Sequence, residues 1–563
     1  MSIKEKIQAS IKQILAQMGE SDEDFSVALP ELEMGDYSTN IALKLASKLG
    51  QNPKEVAEKI AAELGDKLSE DVERIEVAGP GFINFWIRKE GLVASFTSDK
   101  KENGYEGKKI MVEYAHPNTH KEMHIGHLRT LVTGEAIARL LKASGAQVFR
   151  ANYQGDIGPH VAKALYGVEK LLAEQNLSLD DVEKWTAVAK AKLLGDAYVK
   201  GNQDYEAQKD EIDGINNKLY QKDPSIWPLY ETTRVWSLEY YEEFYKRFYT
   251  NFDKLFFESE MVQAGKKIVE ENVGKVFARD NGAIIFPGEE YGLHTRVFVT
   301  QAGNPTYEGK EMGNGFAEWN AFNFDRKIHV VGSEQAGYFQ VVFKALELID
   351  PAKFKDKQQH VSMGMVSVVG MKMSSRTGEI LRVDELIEKV KSQIQGMVEE
   401  GRIKAEDKDA VTEMVAIGAI KYSVLKVGTG QNVAFDVEKS VSLEGDSGPY
   451  LQYTFARTQS VISKSQKDWK LEIGHWPLEI EESDLLRFAY RFGDVSSEAA
   501  ESLSPNHLCE YLYDLARLYN VFYQKHKIIG SEKEGSRLAL TQLTAAVLKE
   551  GLDLLGIKAP ERM

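Results

Sequence analysis

Ile110-Met111-Val112-Glu113-Tyr114, then His124-Ile125-Gly126-His127, then Gln147-Val148-Phe149-Arg150-Ala151-Asn152-Tyr153 is the stretch whose reading settles the architecture. The first run reads as a buried strand. After the second, apolar residues at Leu128, Leu131, Ile137, Leu140 and Leu141 recur at helical spacing and stop at Gly145, which predicts a helix over 128–144. Residues 147–153 read as the next strand. Strand, helix and strand at this spacing predict a βαβ unit, hence an α/β fold with a doubly wound, Rossmann-like parallel sheet. The turn between strand and helix then carries two imidazoles and a Gly without a side chain. Unpaired N–H groups and the positive end of a helix dipole favour a phosphate there. Lys372-Met373-Ser374-Ser375, far downstream, supplies a Lys-bearing loop able to close over the same phosphates.

Working outward, residues 1–105 read as a small α+β domain. Helical patterns over 3–18, 39–49 and 53–64 precede a strand at 74–78, a Gly79-Pro80-Gly81 turn, a strand at 82–87 and a helix at 89–97. The polar stretch Lys100 to Lys109 is a candidate linker. Residues 106–383 form the sheet domain, with a charged, mostly helical insertion expected around 160–280. Ile328-His329-Val330-Val331 returns to strand character, 338–348 reads as helix and 359–369 as extended. From 384 to 563 the pattern is helical, broken near 441–449 and 465–484, which predicts a C-terminal helical bundle.

Composition bounds the chemistry. A chain of 563 residues has room for roughly three or four domains. Hydrophobic content of 43% and charged content of 28% are those of an ordinary globular protein. The single cysteine, Cys509, excludes a disulfide framework and a Cys-based zinc site, so no structural metal is expected. No apolar run is long enough to span a bilayer, so no membrane partner is expected. Ile3, Ile7, Ile11, Ile14 and Met18 line one face of an N-terminal helix that lacks Arg and carries Glu5. This favours a packed helix over a transit peptide and makes the cytoplasm the default compartment. The net charge of −16 argues against whole-surface binding of nucleic acid but leaves room for a local basic stripe.

A His-x-Gly-His alone serves equally well as cap and turn. The loop in front of it narrows the reading: Pro117 holds an extended approach, Asn118 offers an amide and Lys121 adds a cation beside the phosphate site. Together, His116-Pro117-Asn118 and Lys121-Glu122-Met123-His124-Ile125-Gly126-His127-Leu128-Arg129 resemble the first signature region of class I aminoacyl-tRNA synthetases, and specifically of the arginyl-tRNA synthetase family. The resemblance implies that His124 and His127 bond ATP phosphates in the transition state, and that Gly126 lets adenine lie against the backbone. Gly370-Met371-Lys372-Met373-Ser374-Ser375-Arg376 resembles the loop that stabilises departing pyrophosphate, with Lys372, Met373, Ser374, Ser375 and Arg376 on the ATP side. The general class has a second Lys where this chain has Ser375. Arginyl enzymes commonly lack it and carry one before the His-x-Gly-His, where Lys121 stands. Either Lys121 or Arg376 supplies the missing charge.

For the amino acid, a guanidinium needs a planar carboxylate and neutral acceptors around it. The family uses Tyr-x-x-x-Asp and a downstream Gln. Tyr307 and Gln335 match, whereas the acidic position holds Glu311, one methylene longer. Glu311 as an exposed helix residue, with another acid on the guanidinium, is the alternative. His116, Asn118 and His127 complete the arginine set implied. Gly155-Asp156-Ile157-Gly158 resembles the family's turn on the ATP side of the cleft, though Asp156 also suits a plain cap. The resemblance extends to both ends of the chain. Gly35 to Asn40 and Pro80 to Asn84 resemble the appended domain that contacts the tRNA elbow. The stretch from Tyr450 resembles the entry to the anticodon-binding domain, with Tyr450, Tyr453 and Arg457 as candidate tRNA contacts. The implied activity is arginine–tRNA ligation with ATP and Mg2+ as the substrate complex and tRNA(Arg) as partner, by a monomer that needs tRNA before adenylate forms. Two rivals are a class I enzyme for another amino acid and a non-catalytic tRNA-binding paralogue. The lone Cys disfavours a cysteinyl enzyme, and the intact His124, His127 and Lys372 disfavour the paralogue.

Overall fold

The computed structural model describes residues 2–20, 24–97, 104–370, 382–399, 407–465 and 477–563. A five-stranded, wholly parallel sheet organises the larger of two compact units, which comprises residues 103–453, 497–510 and 551–563. Across the sheet the strands run Gln358–Met363, Arg326–Gly332, Lys109–Glu113, Gln147–Gln154, Lys254–Phe257. The chain starts at Lys109–Glu113, moves outward on one side, then returns to the other side with Arg326–Gly332. That reversal opens a crevice outside the carboxyl ends of these two neighbouring strands. Ile110, Met111 and Val112 are each at most 1% exposed, as a central strand covered on both faces requires.

The helix predicted over 128–144 spans Ile125–Ala143 and starts one turn earlier, with His124 as its N-cap. The expected insertion holds the helices Pro159–Gln175, Ala187–Asp204, Lys209–Gln221 and Trp227–Arg247, packed into small cores of their own. One correction concerns its extent. Lys254–Phe257 is not insertion but the edge strand of the parallel sheet, paired with Ala151–Gln154. Four residues are too few for a period-two signal to stand out from the aromatic, charged helix before them. A three-stranded antiparallel sheet of Ala278–Asp280, Ala283–Phe286 and Arg296–Val299 also follows, hidden in sequence by the same brevity. Beyond residue 384 the elements among the described residues are helices as expected, except that Val433–Phe435 pairs in parallel with Val366–Val368.

The smaller unit comprises residues 1–102, 454–496 and 511–550. Its antiparallel sheet runs Val27–Ala28, Tyr37–Thr39, Phe82–Ile87, Val72–Ala78, and the helices Ile3–Gln17, Ile41–Leu49 and Pro53–Leu68 belong to the same unit. Helix Ile480–Tyr490 and most of Pro505–Lys525 and Glu534–Leu554 belong to it too. No helix among the described residues is long and apolar enough to cross a membrane.

Candidate active site

The loop leaving Lys109–Glu113 is wound tightly. Ala115, His116 and His120 adopt φ of 78°, 48° and 62°, left-handed values that cost a non-glycine residue free energy and survive only when neighbours hold them. The helix Trp227–Arg247 does the holding. Tyr241 Oη donates to the carbonyls of Asn118 (2.6 Å) and Lys121 (2.8 Å), and Ser237 Oγ accepts from the His120 amide at 2.9 Å. The Thr119 amide donates to the Gly155 carbonyl at 2.9 Å, so the turn after Gln147–Gln154 is tied to the same loop. A Cβ at position 155 would lie 2.2 Å from Asn118 Oδ1, so glycine is required for that approach.

At the helix start the two imidazoles cap each other's backbone. His124 Nδ1 accepts from the amides of Gly126 (3.1 Å) and His127 (3.4 Å), and His127 Nδ1 accepts from the His124 amide at 3.4 Å. Their rings stack at 3.6 Å between centroids. Burial and the nearby Lys121 ammonium push His124 down to about 4, and burial, His124 and Lys121 hold His127 well below its ordinary range. Both rings are therefore neutral near pH 7. A neutral ring whose Nδ1 accepts must carry its proton on Nε2, so each presents an Nε2–H donor to an anion. Lys121 itself packs with its Nζ 4.1 Å over the Tyr198 ring.

Lys372, Met373, Ser374, Ser375 and Arg376 lie outside the described residues. The chain on either side of them is described. Val366–Val368 leads toward the segment, and Arg382 follows it in an antiparallel bridge with His124. The Val383 amide donates to the Met123 carbonyl at 3.2 Å, and Arg382 pairs with Glu122 (3.0 Å) and Asp196 (3.1 Å). Arg382 and Val383, downstream of that segment, are thus held against the first motif.

At the carboxyl end of Lys109–Glu113 buried carboxyls gather around one lysine. Glu113 Oε2 lies 2.5 Å from Lys327 Nζ, which also pairs with Glu318, while His116 and His329 approach Glu113 at 3.5 and 3.6 Å. Burial opposes charge on Glu113, yet Lys327 and His329 hold it well below the usual carboxylate range. Among the described residues Glu311, 3% exposed, forms no ion pair, and its carboxylate accepts from Asn314 Nδ2 at 3.4 Å. Burial and the charge of Glu113 push it up to about 8. Three buried carboxyls thus face one lysine. Tyr307, 43% exposed, stands one turn before Glu311 on the helix Tyr307–Ala321, with Thr306 as N-cap. Gln335, half-buried, follows the carboxyl end of Arg326–Gly332.

Asp156 departs from its expected place on the ATP wall. It is fully buried, and its oxygens accept from Tyr230 Oη (3.1 Å), Arg234 Nε (2.9 Å), Ser259 Oγ (2.7 Å) and the Ser259 amide (2.8 Å). Its carboxylate thereby accepts from the first turn of the helix Glu258–Glu271. Tyr450 and Tyr453 are half-buried on Gly448–Ile462. Arg457 bonds Asn520 and lies 5.2 Å from the Tyr523 ring. Sequence reasoning missed the partnership of Glu113 with Lys327 and Glu318, although a lone acid inside an apolar strand was a usable signal. It also missed His160, whose Nε2 meets the Gly155 carbonyl at 3.1 Å.

Residues 92–437 match the catalytic domain of tRNA synthetases class I (R). The chain belongs to the arginyl-tRNA synthetase family. Residues 1–87 match the arginyl-tRNA synthetase N terminal domain and residues 451–563 the DALR anticodon binding domain. An arginine–tRNA ligase of Clostridium botulinum is 29% identical over 582 residues, covering 100% of both chains. One of Bdellovibrio bacteriovorus is 32% identical over 479 residues, covering 81% of this chain and 80% of its own. Among solved structures, a Thermus thermophilus arginyl-tRNA synthetase shares a TM-score of 0.83 at 26% identity, with 100% of each chain covered.

Proposed function

We propose that the protein is an arginine–tRNA ligase. The arginine carboxylate attacks the α-phosphorus of Mg·ATP, the bond to pyrophosphate breaks, and arginyl-adenylate forms. A ribose hydroxyl of the tRNA 3′-terminal adenosine then attacks the activated carbonyl and releases AMP. No protein nucleophile is needed, so catalysis consists of alignment and charge stabilisation. The Nε2–H groups of His124 and His127, with Lys121 and Lys372, stabilise the phosphorus-centred charge. Gly126, the backbone of Gly155, and the segment Met373 to Arg376 border ATP. His116, Asn118, Tyr307 and Gln335 surround arginine, with Glu311 on its guanidinium.

The observation that carries this reading is the buried Glu311 carboxyl beside Glu113 and Lys327, in the same compact unit as the imidazole pair. A guanidinium supplies the cation that cluster lacks, and an uncharged amino acid does not. The domains 1–105 and 384–563 serve the tRNA, Tyr450, Tyr453 and Arg457 among them, and the enzyme works as a cytoplasmic monomer. Supplying ATP, Mg2+, bulk tRNA and each amino acid in turn tests the proposal. Arginine alone should become esterified to RNA; another amino acid, or none, overturns it.

A further inference from the structure

A guanidinium carries five N–H donors, of which one carboxylate in a forked pairing takes two. Three remain, and in a dry pocket each needs an acceptor. Tyr307 offers one hydroxyl. Two more hydroxyls reach the same crevice from other elements. Tyr153, 3% exposed, stands one residue before the end of the strand Gln147–Gln154, and Tyr338, 4% exposed, lies in the first turn of the helix Ala336–Ile349. Both rings belong to one core cluster, and the Tyr338 ring stacks on that of Tyr307 at 5.0 Å between centroids. Neither the Tyr153 nor the Tyr338 hydroxyl has a hydrogen-bond partner among the described residues, though each is buried. Buried hydroxyls left unpaired are costly, and a folded protein rarely keeps two side by side without use. Glu311 is among the charges that act on all three phenols, and burial with those charges keeps each in the neutral hydroxyl form.

We propose that Tyr153 and Tyr338 are specificity-determining residues of the arginine pocket, their hydroxyls accepting the guanidinium N–H donors that Glu311 and Tyr307 leave over. This rests on the reading of the site as arginine-binding. It also accounts for the acidic residue here being Glu: a crevice lined by three phenols sets the guanidinium where the longer side chain meets it.

Tyr153→Phe and Tyr338→Phe test the inference, because each removes one oxygen and keeps the ring packing. Arginylation kinetics and thermal melting are measured together. Each variant should raise the KM for arginine about tenfold, the loss of one hydrogen bond to a charged group, and leave the KM for ATP within about twofold. Tm without arginine should not fall, since an unpaired buried hydroxyl is being removed. Combined with Glu311→Gln, either change should cost less than the sum of the two, as groups sharing one guanidinium do. An unchanged arginine KM overturns the inference, whatever Tm does, and so does strict additivity with Glu311→Gln. If the wild-type chain attaches no arginine to tRNA, the reading of the site itself fails. If it does and the variants match it, only the role of the two tyrosines falls.

Discussion

In the proposed arginine site substrate choice turns on Glu311, and its protonation makes that choice pH-dependent. Its ordinary value of 4.5 rises to about 8 through burial and the charge of Glu113. Unfolded, the carboxyl ionises above pH 4.5; folded and empty, it stays protonated until pH 8. The contribution is therefore present at low pH and is lost as pH climbs through that window. A guanidinium reverses the preference, so binding of arginine at pH 7 should expel a proton. The KM for arginine should fall as pH rises from 6.5 toward 8.5 and then level off, about 25-fold overall. Glu311→Gln should raise that KM about a hundredfold and abolish its pH dependence. Unchanged arginine affinity in this variant would mean that another acid holds the guanidinium. In the same proposal His127 acts at the phosphate side of the site. Its neutral Nε2–H has little to bond until charge develops at phosphorus, so His127→Ala should lower kcat about a hundredfold or more while shifting the arginine KM less than about threefold. Steady-state arginylation distinguishes the two, and a raised KM at constant kcat would contradict the transition-state role.

Between elements, Arg129 is the connection worth testing. It is 2% exposed, sits on the helix Ile125–Ala143, and donates to the carbonyls of Val424, Gly428, Thr429 and Gln431 at 3.0 to 3.4 Å. The Val424 carbonyl belongs to the last turn of the helix Lys408–Leu425, where intrahelical partners run out. The Gly364 amide donates to Thr429, just before the strand Val366–Val368 that leads toward the second motif. One guanidinium thus ties the helix of the first motif to the approach to the second. Arg129→Met leaves four carbonyls, that of buried Val424 among them, without that donor and should lower stability by about 3 kcal/mol in urea unfolding, with kcat reduced and the arginine KM little changed. A variant of wild-type stability would show the carbonyl cage to be dispensable. Arg129 was legible only as part of a motif, because its acceptors come from a loop with no periodic signal. The elements themselves divide the same way. The helices Lys89–Thr97 and Glu534–Leu554 and the strand Phe82–Ile87 read out to the residue, each long or regular enough to announce its period. Lys254–Phe257 did not, since a four-residue edge strand takes its identity from the neighbour it pairs with. Near the site, the helix that His124 caps was legible from its apolar spacing, and Glu113 carried a signal that went unused. Tyr153 and Tyr338 carried none, because what they do comes from sharing a crevice with Glu311 and not from any local pattern.

Over the whole molecule, order along the chain and order in space diverge. Residues 1–102 share one compact unit with 454–496 and 511–550, while the stretch between them folds as the sheet unit. A string of three domains in series, as the sequence suggests, hides this grouping. Polar contacts inside the smaller unit are specific. Asp36, fully buried, accepts from the Ile87 amide at 2.7 Å and from Arg487; Arg491 donates to the carbonyls of Pro30 and Gly35, each at 2.7 Å. Tyr37 Oη and Lys4 Nζ both reach Asp494, at 2.6 and 2.5 Å. Burial raises Asp36 above its ordinary 3.8 although Arg487 opposes the shift. Arg487→Met removes that opposition and should raise Asp36 further, leaving a buried carboxyl with one amide. The cost near pH 8 should be about 3 kcal/mol, because the unfolded state ionises freely there and the folded state does so at a penalty. Toward pH 5 the folded carboxyl takes up its proton and the deficit should shrink. Since the arginine site lies in the other unit, saturating arginine should raise the transition of that unit and leave the weakened one where it is. Scanning calorimetry at both pH values, with and without arginine, checks this. A deficit independent of pH would remove Asp36 from the account, and one transition moved equally by arginine and by Arg487→Met would mean that the two units unfold as one.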